Sequence, residues 1–338
     1  MLSDLRILPA REIISALANQ ELALVEIIRE TYLALASGNA SLPHSCFLRF
    51  EDGSADRIIA LPAYLMKPQR VAGLKWISSI PSNPDRGIDR ASGLIVINDR
   101  ETGRATSILE GSVISAKRTA ASAALAAMVL TDRMHVDAVG LIGLGAINFE
   151  VVRFLRAAFP ALRHLHAYDR NPAKTAAFSG KCTDEFPGIR VTAADSAADA
   201  IRGNALVSIA TTATRPHIDT LDGVQTDAVI LHLSLRDFAV DAILAADNVV
   251  DDIDHVCRAD TSVHLASQRV GHRDFMTDLA KLIMTDGAQR ERRRPVIFSP
   301  FGLGVLDLAV ASMVVSKIQE SGGGTVVNGF HPQSWRSR

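Results

Sequence analysis

The 338-residue sequence has few cysteines, few aromatic residues and almost no excess of either charge. Its three cysteines, Cys46, Cys182 and Cys257, lie far apart and form no CxxC pair. This excludes a disulfide framework and a zinc knuckle, and it indicates a reducing compartment such as the cytoplasm. The 36 Lys and Arg residues nearly cancel the 37 Asp and Glu residues. We therefore expect neither a nucleic acid nor an anionic membrane as the main partner.

Long hydrophobic runs are also missing. The least polar stretches, Thr119–Leu130 and Leu306–Val315, are shorter than the roughly 18–20 residues that cross a bilayer, so both are interpreted as buried helices. The ten histidines show no HxxxH spacing, and no metal site is predicted. What the chain does have is 48% hydrophobic residues and a length that suits two domains.

The first third of the chain predicts a helix followed by antiparallel strands. In Glu21–Leu35, apolar residues recur at three- and four-residue steps, which is typical of an amphipathic helix. Short strand-like runs follow, separated by turn signals; they are Cys46–Phe50, Arg57–Leu65, Val71–Ser78, Leu94–Asn98 and Thr106–Leu109. An alanine-rich helix is then predicted from about Ser115 to Leu130.

From Ala138 onward, strand-like runs alternate with helical stretches, which predicts a parallel sheet with right-handed crossovers. The predicted strands are Ala138–Ile142, Leu165–Tyr168, Ile189–Ala193, Ala205–Ala210, Ala228–Leu233, Asn248–Val250 and Pro295–Ser299. Gly304–Gln319 is predicted to be a closing apolar helix, and the residues after Gly322-Gly323-Gly324 a loose end.

The sharpest local motif is the stretch Val139–Asn148, which predicts a buried strand, a glycine turn and a helix beginning near Ala146. Gly143 allows a tight turn, and Gly145 lets backbone N–H groups approach a pyrophosphate at the helix N-terminus. We predict cofactor contacts from Gly143, Gly145 and the first helical residues Ala146, Ile147 and Asn148. Asn148 replaces the third glycine of the usual fingerprint.

An acidic residue after the next strand strengthens the nucleotide interpretation. Asp169 lies 24 positions after Gly145, where a carboxylate can bind the ribose hydroxyls of a dinucleotide. The same carboxylate repels a 2′-phosphate, so NAD is favoured over NADP. The neighbouring Arg170 is a further predicted cofactor contact and leaves some room for NADP. The alternative is that the glycines only make a tight turn in a parallel sheet.

Several motifs resemble the ornithine cyclodeaminase/mu-crystallin family over roughly residues 5–320; they are Arg57–Tyr64, Gly73–Trp76, Ala116–Ser122 and the glycine turn. The resemblance implies an α/β fold in which a Rossmann-type, parallel-sheet NAD domain is inserted into a discontinuous α+β domain. On that basis we expect a substrate-binding and dimerisation domain over residues 1–120 and 305–338, and a dinucleotide-binding domain over residues 121–304. Homodimers are usual in the family.

Three further motifs, Leu109–Ser112, Ile147–Glu150 and Ser234–Asp237, resemble one branch of this family. That branch makes 2,3-diaminopropionate for siderophore and peptide-antibiotic assembly. The implied activity is the NAD-dependent oxidative hydrolysis of N-(1-amino-1-carboxy-2-ethyl)-glutamate to 2,3-diaminopropionate and 2-oxoglutarate. Two alternatives stay open: an ornithine or lysine cyclodeaminase or imine reductase, and a non-catalytic ligand-binding protein like some mu-crystallins.

By the same resemblance, Arg49, Lys75 and Arg118 match residues that hold the substrate carboxylate and amine. Arginine forks and lysine suit a small acidic substrate derived from an amino acid. A lysine buried among arginines should have a depressed pKa, because desolvation and like charges both disfavour its charged form. Lys75 is therefore also a candidate for proton transfer. Taken singly, each cation could equally be an ordinary surface or paired charge.

Asp237 matches the family's catalytic acidic residue, which can stabilise an iminium and activate water. Cyclodeaminases continue with Pro-Gly-Lys after this residue, whereas Phe238-Ala239-Val240 follows here, which counts against ornithine as the substrate. The remaining predicted cofactor contacts lie at a helix start or after strands; they are Thr119, Thr211, Thr212, Ser234 and Gly302. His44 and His232 could line the pocket, although structural histidines are more common.

Overall fold

The computed structural model describes residues 3–50, 54, 56–131, 136–285 and 294–332. The chain divides into two compact units, one of Met1–Arg118 with Leu303–Arg338 and one of Thr119–Gly302. We call the first the terminal unit and the second the central unit. The expected boundaries, 120/121 and 304/305, lie two residues further along the chain. The structure confirms the predicted α/β fold class with an inserted parallel-sheet unit.

The terminal unit is built on one sheet of eight strands. The strands are β1 (Leu5–Leu8), β2 (Ala40–Ser41), β3 (Cys46–Arg49), β4 (Arg57–Leu65), β5 (Val71–Ser79), β6 (Ala91–Asn98), β7 (Ala105–Glu110) and β16 (Thr325–Val327). They are ordered β16-β1-β7-β6-β5-β4-β2, and β3 also pairs with β4. All pairings are antiparallel except that of β1 with β7.

Three helices belong wholly to the terminal unit: α1 (Ala10–Ala16), α2 (Glu21–Ala36) and α11 (Gly304–Glu320). Helix α11 packs against β4, β5 and β6 and also against α2. Gly304 permits this close packing, because a Cβ there would lie 2.7 Å from the carbonyl oxygen of Leu61. The approach brings one helix face onto the middle of the sheet, beside Lys75.

The tail prediction was wrong. Thr325–Val327 forms β16, which pairs antiparallel with β1 through the register Leu5↔Val327 and Ile7↔Thr325. A three-residue strand has too little pattern of its own to be recognised, and it forms only because β1 offers a sheet edge. The C-terminal segment thereby returns to the first strand of the chain.

The alanine-rich helix α3 (Ser112–Leu130) starts three residues before the predicted Ser115. The Glu110 carboxylate accepts hydrogen bonds from the backbone N–H groups of Ser112 (2.6 Å) and Val113 (3.1 Å), which satisfies two donors of the first turn. Arg118 and Thr119 consequently lie in the second turn rather than at the helix start. With 19 residues α3 is long and apolar enough to cross a membrane, but 67% of that segment is buried within the protein.

The central unit contains eight parallel strands: β8 (Ala138–Ile142), β9 (His164–Tyr168), β10 (Arg190–Ala193), β11 (Leu206–Ile209), β12 (Val229–His232), β13 (Asp247–Val250), β14 (Met276–Asp278) and β15 (Val296–Ser299). Its helices, besides the later part of α3, are α4 (Ala146–Ala158), α5 (Pro172–Glu185), α6 (Ala197–Arg202), α7 (Val240–Leu244), α8 (Ile253–Val256), α9 (Ser262–Val270) and α10 (Leu279–Met284). The strand order is β10-β9-β8-β11-β12-β15-β13-β14.

The strand order reverses between β8 and β11, which makes the carboxyl ends of these two strands a topological switch point. Open parallel sheets bind ligands at such a point. Strands β11 and β12 are completely buried along their length, so only the loops that follow them offer side chains to a ligand. The predicted cofactor residues after β8, β9, β11, β12 and β15 therefore follow the same edge of the sheet.

Candidate cofactor and substrate sites

The glycine turn after β8 requires glycine at one position and is open at the next. Gly143 has φ +81°, and a Cβ there would lie 2.5 Å from the carbonyl oxygen of Ala210. Gly145 is the N-cap residue of α4, is exposed, and has no heavy atom within 4 Å of where its Cβ would be. Ala146 is exposed and Ile147 half-buried in the first turn of α4. The turn thus presents free space and helix N–H groups to an anion.

Asp169 follows β9 and lies directly beside this turn. Its Oδ2 accepts a hydrogen bond from the backbone N–H of Leu144 (3.0 Å), and its Oδ1 accepts one from the backbone N–H of Asn171 (2.9 Å). A carboxylate offers about four lone-pair positions, so the two backbone bonds leave acceptor capacity for ribose hydroxyls. Arg170 is exposed beside it.

The structure gives the Asn148 side chain a different role from the predicted cofactor contact. Asn148 is fully buried, and its Nδ2 donates to the carbonyl oxygens of Ile142 (3.0 Å) and Gly143 (2.7 Å). Its Oδ1 accepts from the Ser208 hydroxyl on β11 (2.7 Å). The amide therefore ties the turn to two strands, which compensates for the missing third glycine by hydrogen bonding instead of close packing.

Asp237, the predicted catalytic acid, lies in a fully enclosed position in the loop after β12. Its Oδ1 accepts from the Thr211 hydroxyl and from Nε2 of His217 (3.0 Å). Its Oδ2 accepts from the Ser234 hydroxyl and from Nε2 of His232 (3.1 Å). Two donors on each oxygen use the whole acceptor capacity of the carboxylate.

These contacts decide the charge of Asp237. Burial by itself raises the pKa of the carboxyl, but hydrogen bonds from His217, His232 and Ser234 outweigh burial and hold the pKa below the ordinary value for aspartate. The side chain is an anion at neutral pH. A carboxylate with a low pKa and no free lone pair is a fixed charge and a poor proton acceptor.

Thr211 and Ser234 give their hydroxyl protons to Asp237, so their side chains can offer a cofactor only acceptor lone pairs. Thr212 is exposed. Gly302, after β15, has φ +92° and donates its backbone N–H to Oδ2 of Asp251 (2.7 Å). Burial raises the pKa of Asp251 to about 6, against the hydrogen bonds of Gly302 and Phe301, which lower it.

The sequence interpretation missed His217. Its backbone N–H donates to the carbonyl oxygen of Asp237 (2.8 Å), and the next residue, Ile218, forms a parallel bridge with Phe238. Twenty residues separate His217 from Asp237, and no local spacing signals their contact. His232, by contrast, is the satisfied structural histidine that base rates favoured, since it is fully buried and its Nδ1 pairs with the Ser299 hydroxyl at 3.1 Å.

In the terminal unit, two of the three predicted substrate cations meet on one buried carboxylate. Asp307 of α11 is fully buried; its Oδ2 lies 2.6 Å from Nζ of Lys75, and its Oδ1 lies 3.1 Å from Nε of Arg118. Lys75 is 2% exposed and Arg118 8%. Asp307 was not predicted, although it is the one charged residue within the apolar run Gly304–Val315, and that anomaly was an available signal.

The triad also explains the state of the lysine. Burial lowers the pKa of Lys75 most, the charge of Arg118 lowers it further, and Asp307 opposes both. The net result is a pKa of about 8 instead of 10.5. The expected depression of the Lys75 pKa agrees with this value, but the sequence contained no hint of the carboxylate that limits it.

Arg49 is not drawn into the triad by any contact among the described residues. It is exposed at the end of β3, and its guanidinium carbon lies 5.8 Å from the centre of the Phe47 ring. Arg49 opposes Arg57 on β4, whereas Lys75 opposes Leu61. Directly opposed residues share a sheet face, so Arg49 and Lys75 lie on one face, separated by four residues or about 13 Å along the strands.

Comparison with known proteins places these features in context. A model described as the ornithine cyclodeaminase/mu-crystallin family matches residues 7–322. The chain is 29% identical over 318 residues to the N-((2S)-2-amino-2-carboxyethyl)-L-glutamate dehydrogenase of Staphylococcus aureus; the match covers 92% of this chain and 94% of that protein.

Two solved structures share the fold of the chain. The Delta(1)-pyrroline-2-carboxylate reductase of Thermococcus litoralis, in complex with NADH and L-proline, gives a TM-score of 0.88 at 22% identity over 95% of this chain and 99% of that one. An archaeal alanine dehydrogenase dimer with bound NAD gives a TM-score of 0.84 at 24% identity, over 96% and 99%.

Proposed function

Because the chain belongs to the ornithine cyclodeaminase/mu-crystallin family, as its motifs predicted, we propose that it is an NAD-dependent oxidoreductase that cleaves a glutamate conjugate of 2,3-diaminopropionate. N-(1-amino-1-carboxy-2-ethyl)-glutamate, NAD⁺ and water become 2,3-diaminopropionate, 2-oxoglutarate, NADH and a proton. The observation that carries an acidic substrate is the buried triad, in which Lys75 and Arg118 share the single carboxylate of Asp307. Similarity to the Staphylococcus aureus dehydrogenase supports this choice of substrate.

The glycine turn and Asp169 fit NAD. Gly143, Gly145 and the first residues of α4 offer a pyrophosphate open space and backbone N–H groups. Asp169 keeps lone pairs for the ribose hydroxyls while its charge repels a 2′-phosphate. When bound, NAD supplies the acceptor for the hydride of the glutamyl Cα.

The terminal-unit cations bind the substrate carboxylates in this proposal. With Lys75 protonated, two positive charges face one negative charge in the triad, and the surplus attracts a carboxylate. Arg49 lies on the same sheet face as Lys75. A substrate with three carboxylates is long enough to use separated cations, which a single α-carboxylate does not need.

Lys75 and Asp237 have different chemical roles. A secondary amine must lose its proton before its Cα can give up a hydride, and a lysine with a pKa of about 8 can accept that proton near neutral pH. Asp237 stays anionic and enclosed. Its fixed negative charge stabilises the positive charge of the substrate iminium that forms when the hydride leaves.

Two other functions compete with this one. Similarity of fold to a pyrroline-carboxylate reductase favours a second candidate, reduction of a cyclic imine or cyclodeamination of ornithine or lysine. Phe238 in place of the cyclodeaminase Pro-Gly-Lys continuation weighs against ornithine. The third candidate is a non-catalytic ligand-binding protein, and retention of Lys75, Arg118 and Asp237 weighs against it.

The test is incubation of the protein with NAD and the glutamyl conjugate, with NADH, 2-oxoglutarate and 2,3-diaminopropionate measured together. We expect equal amounts of all three products. Conversion of ornithine without accumulation of NADH would instead identify a cyclodeaminase, and saturable binding of the conjugate without turnover would identify a binding protein. The diaminopropionate product would serve siderophore or peptide-antibiotic assembly in the cytoplasm, where the three free cysteines stay reduced.

A homodimer belongs to the same proposal. On the sheet face opposite Lys75, Leu48, Trp76 and Leu94 are 48%, 38% and 48% exposed, and the strand register brings these apolar side chains to one side. A family relative forms a dimer, and an exposed apolar patch of this kind marks an interface. In sedimentation velocity, Trp76→Glu should yield monomer, while Ile88→Glu, at an exposed apolar residue outside the strands, should not.

A further inference from the structure

Two histidines hold the carboxylate of Asp237, but only one of them is available to a ligand. His232 is fully buried, and both of its ring nitrogens have protein partners, Ser299 and Asp237. The side chain of His217 is 39% exposed, and Asp237 is the partner of its Nε2. No hydrogen bond to Nδ1 of His217 occurs within the described residues.

The tautomer of His217 follows from the charge of its partner. Asp237 is anionic and can only accept, so Nε2 of His217 must carry the hydrogen of their 3.0 Å bond. In the neutral ring, Nδ1 then has the lone pair, and it belongs to the exposed side chain. The backbone of His217 is fixed as well, because the N–H groups of His217 and Ile218 both donate to the carbonyl oxygen of Asp237, at 2.8 and 2.9 Å.

This arrangement separates two tasks that the sequence assigned to one residue. Asp237 has no free acceptor and no exposed surface, so it cannot take a proton from water. It can orient an imidazole and stabilise the imidazolium after protonation, as carboxylates paired with histidines do. Histidine is also the side chain whose ordinary pKa lies nearest to neutrality.

We propose that Nδ1 of His217 is the group that exchanges protons in the hydrolytic half of the reaction, and that Asp237 is its positioning residue. This inference rests on the function proposed above. Water adds its oxygen to the iminium carbon and its proton goes to Nδ1, which leaves a carbinolamine. The protonated His217 then returns that proton to the diaminopropionate nitrogen as the C–N bond breaks. The carbinolamine hydroxyl proton goes to solvent and 2-oxoglutarate remains, so no further oxidant is needed.

The charged groups around His217 are few. Asp237 faces it from the loop after β12, with His232 behind that carboxylate. Arg215 and Asp219 flank it in its own loop, and both are exposed. A protonation change at Nδ1 is therefore governed chiefly by the Asp237 contact.

A single-turnover experiment separates proton exchange from hydride transfer. With enzyme in excess over the conjugate and saturating NAD, wild-type protein should release NADH and 2-oxoglutarate together. His217→Gln should still form NADH rapidly, while 2-oxoglutarate should appear about 10²-fold more slowly, because a positioned acid–base group contributes roughly that factor or more. The slow phase in His217→Ala should accelerate on addition of imidazole, which a purely structural role does not predict.

His272→Gln is the matched control, because His272 is also an exposed central-unit histidine beside an aspartate, Asp274, at 3.6 Å. We expect wild-type kinetics from it. If His217→Gln releases 2-oxoglutarate as fast as wild type, or if it slows NADH formation equally and imidazole does not help, the inference is wrong. Failure of wild-type protein to form NADH from the conjugate would instead contradict the proposed substrate, so the two failures are distinguishable.

Discussion

Asp307 in the terminal unit and Asp237 in the central unit are both fully buried carboxylates, yet their surroundings balance the charge in opposite ways. Two cations, Lys75 and Arg118, contact Asp307. Hydroxyl groups and imidazoles contact Asp237. The first cluster keeps surplus positive charge, whereas the second keeps its negative charge.

The difference shows that the donor type, and not burial, decides what a buried carboxylate offers to a ligand. Removal of a charge from water costs several kcal/mol in either cluster. Cations compensate that cost by direct attraction and leave a site for anions, while neutral donors compensate it by hydrogen bonding and leave a site that stabilises cations. An anionic amine that passes through an iminium needs both kinds of site.

The largest expected effect comes from breaking the cationic cluster. Asp307→Asn leaves Lys75 and Arg118 buried without their counter-charge, which should lower the free energy of unfolding by about 3–5 kcal/mol. Urea unfolding measures it. Asp241→Asn is the control, because its pair with Arg269 is exposed on both sides (74% and 56%) and should contribute little. Equal losses in the two variants would contradict the buried triad.

Breaking the neutral-donor cluster should affect turnover more than folding. Asp237→Asn keeps the shape but removes the negative charge and places an N–H group against donors. We expect turnover to fall about 10³-fold, or about 4 kcal/mol, while NAD binding measured by fluorescence titration stays near wild type. Turnover close to that of wild type would show that Asp237 has no part in the chemistry.

A third buried carboxylate, Asp251, sharpens the comparison because backbone N–H groups alone contact it among the described residues. Its pKa of about 6 lies above the value in an unfolded chain, so between about pH 4 and 6 the folded state holds a proton that the unfolded state has lost. Stability from this group is therefore present below pH 4 and falls by about 2–3 kcal/mol as the pH rises through 6. Urea unfolding from pH 4 to 7 should show that part of the slope in wild type but not in Asp251→Asn.

The smallest of these effects concerns the lysine. If protonated Lys75 binds a substrate carboxylate, kcat/KM should fall as the pH rises through about 8. Lys75→Met should lose that basic limb and lose roughly tenfold or more in kcat/KM at neutral pH. A variant profile that still bends near pH 8 would assign the group to another residue.

Local pattern was sufficient for most of the fold. The runs Arg57–Leu65 and Ala138–Ile142 are strands β4 and β8 with the predicted bounds, because alternation and continuous apolar runs report burial directly. The glycine turn and the family motifs were likewise readable, since each depends on residues close together in sequence. The same holds for the depressed pKa of Lys75 in direction.

The sequence by itself thus determined the family, the two-part architecture and the residue types for a dinucleotide and an acidic substrate. Only the tertiary structure decided which partners complete those sites: β1 for the tail strand β16, Asp307 for Lys75 and Arg118, and His217 for Asp237. These contacts join residues 20 to more than 300 positions apart, where periodicity contains no information. Their formation depends on how the packed strands and helices bring distant side chains together.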